Sequence, residues 1–549
     1  MLTEKRFSIW GLMLAFVVLV GPFALSFHMH YPDEMYYSDA AVRMLQTGDI
    51  QTPYLGSEEL RFKKPILTYW FVLAGFKLFG VTPFASRIFF LLAGAATVGF
   101  VYWGARVLFD DRRVARLSAI IMASQPVLIL SATRSIPDVL LGMCMAISTV
   151  GFLGFIKYGD QAPKRFHWLL FVGLALAFEV KGLPAAALGG LGMGYLLLNP
   201  WQRISTSKLF YLPAVLTGLI IACYWFVAMY WVHGPMYLES FIEDQVGIRV
   251  GNRFLLLVKN FVLAAVLLIV LFIPWFIFGL KKIKTQSKNL FLQNSAFVGL
   301  VVLWVLAIVL MSAGVTKFYE RYLLPVLPLA SIWLGWLLIE NGALNWTKSL
   351  KFGLLFFLTL NLFVLLIGIY FNTFLESNFW VWAQCLFVFL FLFYLYLKRN
   401  HSEGLLLLIA WSVLLLFFGA SISTYQISLP DAGQLVKEYV ADKQIPEGSK
   451  IAFIGHLHTG SKIRIGLGTQ FYMIDLNPDD FMDQLGQYDF ILVEDKYLEL
   501  IPQDKFSFDT AAINWDAKFI KEMAQSLWVN NSQEVKEATG KKYYWGTPL

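Results

Sequence analysis

The sequence predicts a polytopic α-helical membrane protein with a small C-terminal α/β domain, and three observations predict it. Of its 549 residues, 58% are hydrophobic and only 15% charged, with a mean hydropathy of +0.62, whereas roughly a quarter of a soluble domain is charged. The apolar residues gather into about thirteen stretches of the kind that crosses a hydrocarbon core of about 30 Å. Beyond residue 428 the hydrophobicity drops and short strand-like runs take over.

The predicted spans lie near 7–27, 83–108, 114–133, 136–157, 166–181, 183–198, 209–232, 258–280, 292–312, 321–339, 350–371, 378–397 and 404–424. Lys5 and Arg6 precede the first, whose apolar run lacks a small-x-small cleavage pattern and therefore predicts a signal anchor. With the N-terminus inside, every inside connection is basic: Arg112, Arg113 and Arg116; Lys157, Lys164 and Arg165; Arg203 and Lys208; then Lys281 to Lys288, Lys348 and Lys351, and Lys398 and Arg399. This is the asymmetry of a cytoplasmic N-terminus, and thirteen spans then put the C-terminal domain outside. The net charge of +7 belongs to this topology and does not point to nucleic acid. Cys144, Cys223 and Cys385 each sit in an apolar run, which excludes a disulfide framework and a Cys-rich zinc site.

Two segments interrupt the succession of spans. The outside connection 28–82 contains a helix-like stretch, Glu34 to Leu45, stopped by Gly48-Asp49, and an aromatic stretch, Pro65 to Phe79, too short to span. Both suit helices lying in the membrane interface. The division is thus a membrane domain over 1–428 and an α/β domain over 429–549, with strands expected at Lys450 to Ile454, Phe471 to Ile474, Phe490 to Val493 and Tyr543 to Trp545, and helices at Ala432 to Asp442 and Asp479 to Leu485. In that tail His456, His458, Asp475 and Asp479 are surface chemistry or a minor site, and Gly466-Leu-Gly468 is an incomplete echo of a nucleotide-binding turn.

Charge on the outside is concentrated in Asp33 to Lys64, Arg134 to Asp138, Glu239 to Arg253 and Lys317 to Arg321. Asp33 and Glu34 follow Pro32 at the membrane boundary, where Asp33 can cap a helix or act as a base toward an acceptor hydroxyl. Lys63 and Lys64 precede Pro65 and an aromatic helix; they can snorkel to anionic lipid or hold a phosphate leaving group. Asp138 behind Pro137 carries the same ambiguity as Asp33, and Lys181-Gly182 and Lys317 to Tyr322 add cations on the same side. Ionisable groups this close to a bilayer are costly enough to be read as functional.

The series Asp33-Glu34-x-x-Tyr37, Met44-Leu45-x-x-Gly48-Asp49, Phe62-x-Lys64-Pro65-x-x-x-Tyr69-Trp70, Leu78-Phe79-Gly80, Arg87, Pro137-Asp138 and Lys181-Gly182 resembles the aminoarabinose transferases of lipid A. The wider group is the C-type (GT-C) superfamily of lipid-phosphate-dependent glycosyltransferases, which includes protein O-mannosyltransferases. The resemblance is clearest over residues 30 to 200. It implies a bundle of thirteen helices with a periplasmic α/β tail, and inverting sugar transfer from an undecaprenyl-phosphate donor in a bacterial inner membrane. Asp33 would be the catalytic carboxylate, with Glu34 and Asp138 beside it. Lys64 would meet the donor phosphate, Tyr37 would line the cavity, and Tyr69, Arg87, Lys181, Lys317, Arg321 and Tyr322 would complete the substrate-binding set. The acceptor would be lipid A or another envelope glycolipid, or a protein hydroxyl, and no nucleotide sugar is required at the site.

The sequence departs from that family at the positions thought to touch a metal. Lys63 stands where a Glu usually precedes Lys-Pro, and Glu243-Asp244-Gln245 stands where a His is found. No cofactor is therefore carried over with the resemblance; His28 and His30 beside Asp33 and Glu34 are the other residues that could ligate a divalent ion. A lipid or sugar transporter is the competing class, and it predicts internal repeats and midplane charges, neither of which the sequence displays. A scaffold whose outside tail binds partners is the third class, and it leaves the charged outside loops without a purpose.

Overall fold

The computed structural model describes residues 8–26, 29, 31–56, 59–243, 254–273, 275–276, 294–340, 347–375, 379–398, 402–426, 432–478, 481–502, 504–515 and 540–549. Its helices run in order α1 (Ile9–Ser26), α2 (Pro32–Thr47), α3 (Leu67–Phe79), α4 (Pro83–Phe109), α5 (Arg112–Ala123), α6 (Pro126–Ala132), α7 (Pro137–Tyr158), α8 (Lys164–Lys181), α9 (Leu183–Leu198), α10 (Thr206–Leu209) and α11 (Leu212–His233). They continue as α12 (Pro235–Ile242), α13 (Phe254–Leu271), α14 (Ser295–Ala313), α15 (Leu327–Glu340), α16 (Thr347–Leu375), α17 (Phe379–Lys398) and α18 (Ser402–Gln426). A helix overlies every apolar stretch expected to cross the membrane. Among the described residues seven helices are long and apolar enough to span, or eight if α5 and α6, bent by 60° at their junction, form one span. The protein is a multi-pass membrane protein.

Sequence chemistry sets the boundaries. Thr82 accepts from the Ala85 amide at 3.1 Å and Pro83 opens α4, while Asp111 accepts from the Arg113 amide at 2.6 Å to start α5. Pro126 breaks the α5–α6 segment, since proline cannot continue a helix ladder. Gly48, at φ +76°, ends α2 in a left-handed turn as its position predicted. Helix α3 has 13 residues, which gives about 20 Å of length. That is too short for a span, in keeping with an interfacial helix.

Close glycine contacts lock α7 against α8. A Cβ on Gly151 would lie 2.6 Å from the Leu170 amide nitrogen, and one on Gly173 would lie 2.8 Å from that of Ser148. Small residues let membrane helices approach backbone to backbone. Because α7 and α8 are consecutive and antiparallel, this contact brings the start of α7 beside the end of α8, and so Asp138 beside Lys181.

The C-terminal region is an α/β unit. It begins with α19 (Ala432–Asp442) and includes α20 (Leu457–Leu467). A short hairpin in the first outside loop supplies β1 (Tyr54–Leu55) and β2 (Glu59–Leu60); the sheet proper has β3 (Lys450–Ile454), β4 (Tyr472–Asp475), β5 (Phe490–Glu494), β6 (Phe506–Trp515) and β7 (Gly540–Pro548) in the order β4-β3-β5-β7-β6. Strand β3 is parallel to β4 and β5, whereas β7 is antiparallel to β5 and β6. All four expected strand runs lie in or overlap these strands. Strand β6 and helix α20 were not expected, and the stretch expected as a helix from Asp479 is a 3-10 turn at Met482–Gln487, with 479–480 outside the described residues.

Candidate active site

The site forms where α2, the loop after β2, the start of α7, the end of α8 and the segment before α15 converge. Helix α2 opens at Pro32 with Tyr31 as its N-cap and no side-chain cap. Asp33 is therefore in the first turn and not at the capping position that the sequence offered it. Its carboxylate accepts from Arg321 Nη2 at 2.9 Å and stays 42% exposed. Asp138 does not cap α7 either, since Ile136 holds that position. Instead it accepts from Lys181 Nζ at 2.5 Å and lies 3.2 Å from Arg321 Nε.

These contacts make one alternating chain of charges: Asp33, Arg321, Asp138, Lys181. Aromatic rings wall it. Arg321 donates to the Tyr31 hydroxyl and packs 4.3 Å from the Tyr319 ring centre, and Lys181 Nζ sits 4.6 Å from that of Tyr322. Arg134 also packs on Tyr31, 4.7 Å from its ring centre. Of the four charged side chains in the chain only Asp33 has substantial exposure; Asp138 and the two cations are buried.

Lys64 borders this chain from the first outside loop. It is buried, donates to the Lys63 carbonyl at 3.0 Å and acts electrostatically on Asp138. Tyr37 and Tyr69 meet edge to face at 4.8 Å beneath the loop. Burial pushes the Tyr37 phenol well above its ordinary value, so it remains a neutral donor. Arg61, which the sequence did not single out, lies over Tyr36 at 4.6 Å and Tyr37 at 5.7 Å, and its buried Nε has no hydrogen-bond partner among the described residues. Its closeness to Lys63 and Lys64 was the available signal.

Three expected residues take other places. Glu34, expected beside the chemistry, is fully buried and accepts from Arg87 Nε at 2.6 Å, Arg87 Nη2 at 2.9 Å and the Ser135 amide at 3.1 Å. Both of its oxygens are thus occupied by the protein. Arg87, expected on substrate, is the other half of that pair, because a guanidinium fork matches a carboxylate in two parallel bonds. Lys317 is exposed and points over Tyr319 at 5.3 Å, whose hydroxyl raises the lysine above its ordinary value; it does not join the carboxylates. Among the described residues no three His, Cys, Asp or Glu side chains gather as metal ligands, and His28, His30 and 244–250 lie outside the described residues. Lys63, an exposed ammonium in the acid's usual place, is not a ligand, so the family's metal set does not fit here.

One carboxylate the sequence passed over lies further along α2. Asp39 is fully buried and accepts from Arg464 of α20 at 2.7 and 2.9 Å, from Ser461 at 3.1 Å and from the Gly56 amide at 3.3 Å. Arg464 also donates to Asp475 at 2.5 Å. His456 and His458, read as a second possible site, instead serve the start of α20, where His456 accepts from the His458 amide at 3.3 Å.

Residues 63–227 match the family of dolichyl-phosphate-mannose-protein mannosyltransferases. An uncharacterised protein of Aquifex aeolicus is 31% identical over 216 residues, 39% of this chain and 42% of that one. The undecaprenyl phosphate-alpha-4-amino-4-deoxy-L-arabinose arabinosyl transferase of Yersinia enterocolitica is 28% identical over 200 residues, 36% of each chain. The matched stretch thus spans about two fifths of the relatives' own length. The crystal structure of ArnT from Cupriavidus metallidurans bound to undecaprenyl phosphate superposes with a TM-score of 0.70 at 19% identity, covering 92% of this chain and 96% of that one. The fold, a helical bundle with a C-terminal sheet, is shared with it, and the resemblance read from the motifs is borne out.

Proposed function

We propose that this chain is an inverting glycosyltransferase that moves a sugar from an undecaprenyl-phosphate donor to an acceptor hydroxyl. The observation that carries the reading is Asp33: an accessible carboxylate fixed by Arg321 at the end of a buried charge chain, and close enough to act electrostatically on Arg61 in the loop that also bears Lys64. Asp33 takes the acceptor proton as the hydroxyl oxygen attacks the anomeric carbon. The bond from that carbon to the phosphate oxygen breaks, its electron pair leaves with the phosphate, and Lys64 balances the added charge. Asp138 holds Arg321 and Lys181 in place, and Tyr37, Tyr69 and Tyr322 line the sugar's path. The membrane region 1–428 carries the reaction and 429–549 the outside domain. The basic connections support a cytoplasmic N-terminus and a periplasmic C-terminal unit in a bacterial inner membrane.

The acceptor is lipid A or another envelope glycolipid, the class that the motif resemblance implies, and the match of 63–227 to protein mannosyltransferases supports a protein hydroxyl as the second reading. Mass spectrometry of envelope lipids, glycans and glycoproteins with and without the gene identifies sugar and acceptor together. Purified wild type should then transfer that sugar from its polyprenyl phosphate, and Asp33→Asn should lose about a hundredfold or more in kcat. Equal turnover by the variant would remove Asp33 from the chemistry.

A further inference from the structure

Helix α2 carries the reactive carboxylate near one end and a buried one, Asp39, six residues on. A rise of 1.5 Å per residue separates the two by about 9 Å along the axis. Asp39 is held by a bidentate guanidinium from the C-terminal unit, with both partners almost without exposure. The same aspartate accepts from Gly56, in the hairpin that leads into Arg61 and Lys64. Gly56 has φ +62°, and a side chain there would strike Asp475 Oδ2, the second acid on Arg464. A single cation of the C-terminal unit therefore sits at the junction of three elements: the helix of Asp33, the loop of Lys64, and the sheet edge at β4.

Other contacts run along the same seam. Gln46 donates to the Phe471 carbonyl at 3.0 Å, Arg43 lies over the Tyr472 ring at 4.7 Å, and Tyr36 meets His458 at 5.2 Å. From Tyr37 to Met44 every residue of α2 is buried. An interfacial helix with one polar face would normally present it to water. Here that face is covered by α20, and the buried Asp39 on it is neutralised from there.

We propose that Arg464 is a positioning residue of the transferase, acting through Asp39 and Gly56 to set where Asp33 and Lys64 stand, so that the C-terminal unit completes the catalytic geometry instead of only docking the acceptor. The proposal rests on the glycosyltransferase reading given above. Its physical basis is that a carboxylate at Asp39 left without its guanidinium is costly to keep buried and ionised; protonation, or a shift of α2 that admits water, relieves that cost, and either one removes the fixed contact that sets α2. Displacement of a catalytic group by about 1 Å costs on the order of a hundredfold in rate.

The test uses the full-length protein in detergent or nanodiscs, with a polyprenyl-phosphate sugar of the kind identified by mass spectrometry and a small acceptor too short to reach the C-terminal unit. Arg464→Gln should lower kcat by roughly ten- to a hundredfold, and Arg464→Lys should recover part of it. Asp39→Asn should produce a similar loss that is not additive with Arg464→Gln. Leu492→Ala, which loosens the core of the same unit on β5, serves as the control: it should lower the melting temperature comparably and leave kcat at the wild-type level. Hydrogen exchange of residues 33–44 should quicken in Arg464→Gln and not in Leu492→Ala. Undiminished kcat in Arg464→Gln, an equal kcat loss in Leu492→Ala, or unchanged exchange in α2 would each overturn the inference. Wild-type protein that transfers no sugar would overturn the transferase reading instead, and the exchange measurement would still decide the role of Arg464.

Discussion

Adjacent carboxylates on α2 are made different by their surroundings. Asp33 has one charged partner and open space, whereas Glu34 is sealed among Arg87 and Ser135. Removing one half of a buried ion pair strands the other charge and costs about 3–5 kcal/mol, while loosening an exposed pair costs about 1 kcal/mol or less. Glu34→Gln should therefore depress thermal stability and yield far more than Asp33→Asn does, and whatever protein folds should retain much of its turnover. Measuring melting temperature and kcat for both variants separates the roles. Glu34→Gln that melts like wild type but has no activity would return Glu34 to the reaction. The chain Ser38, Ser86 and Ser135, linked at 2.8 and 2.6 Å, runs on to Glu34 and gives the buried acid further support.

At the level of elements, the bundle was legible because its signal is crude and strong: apolar runs of membrane length, punctuated by Pro, Gly and basic residues. Helix α2 and β3 were legible for the same reason, a clean start or stop around a periodic stretch. Helix α20 was not. Its sequence, Leu457 to Leu467, contains Gly460 and Gly466 and reads as loop, but these glycines let α20 press on its neighbours; a side chain at Gly466 would run into the Gly433 backbone of α19. So the site's acids and lysines could be located from sequence, while Asp39 and Arg464, 425 residues apart, had no local signal at all. Exposure decided the remaining misreadings: nothing in the run Asp33-Glu34 says which acid is buried. Helix α20 also brings a pH dependence. Burial, then the neighbouring His456 and Lys462, hold the His458 imidazole below its ordinary value, with Asp33 opposing. The folded state therefore binds fewer protons than the unfolded one. The resulting stability is present above the unfolded pKa of about 6.5 and is lost as pH falls through the lower folded value. Melting temperature should drop between pH 7 and 5 in wild type, and His458→Asn should flatten that slope; equal slopes would discount the histidine.

For the whole molecule, the two regions cannot be treated as an enzyme and a detachable tail. The membrane region supplies the charge chain through α7, α8 and the segment before α15, and it pins α2 from one side by Arg87 and Arg321. The C-terminal unit pins the same helix from the other side by Arg464. Cutting the chain at residue 428 would open Asp39 and the covered flank of α2 to water, take away the guanidinium that fixes them, and leave the hairpin with one tether fewer. A module that merely docks acceptors predicts that truncation changes acceptor choice and spares turnover on a small soluble acceptor. The shared clamp predicts loss of that turnover by about a hundredfold, with undecaprenyl phosphate still protecting the truncated bundle against heat, because α7, α8 and their buried pair remain. Full activity after truncation would mean that the bundle alone holds α2, and that the guanidinium of Arg464 stabilises the outer unit without setting the site.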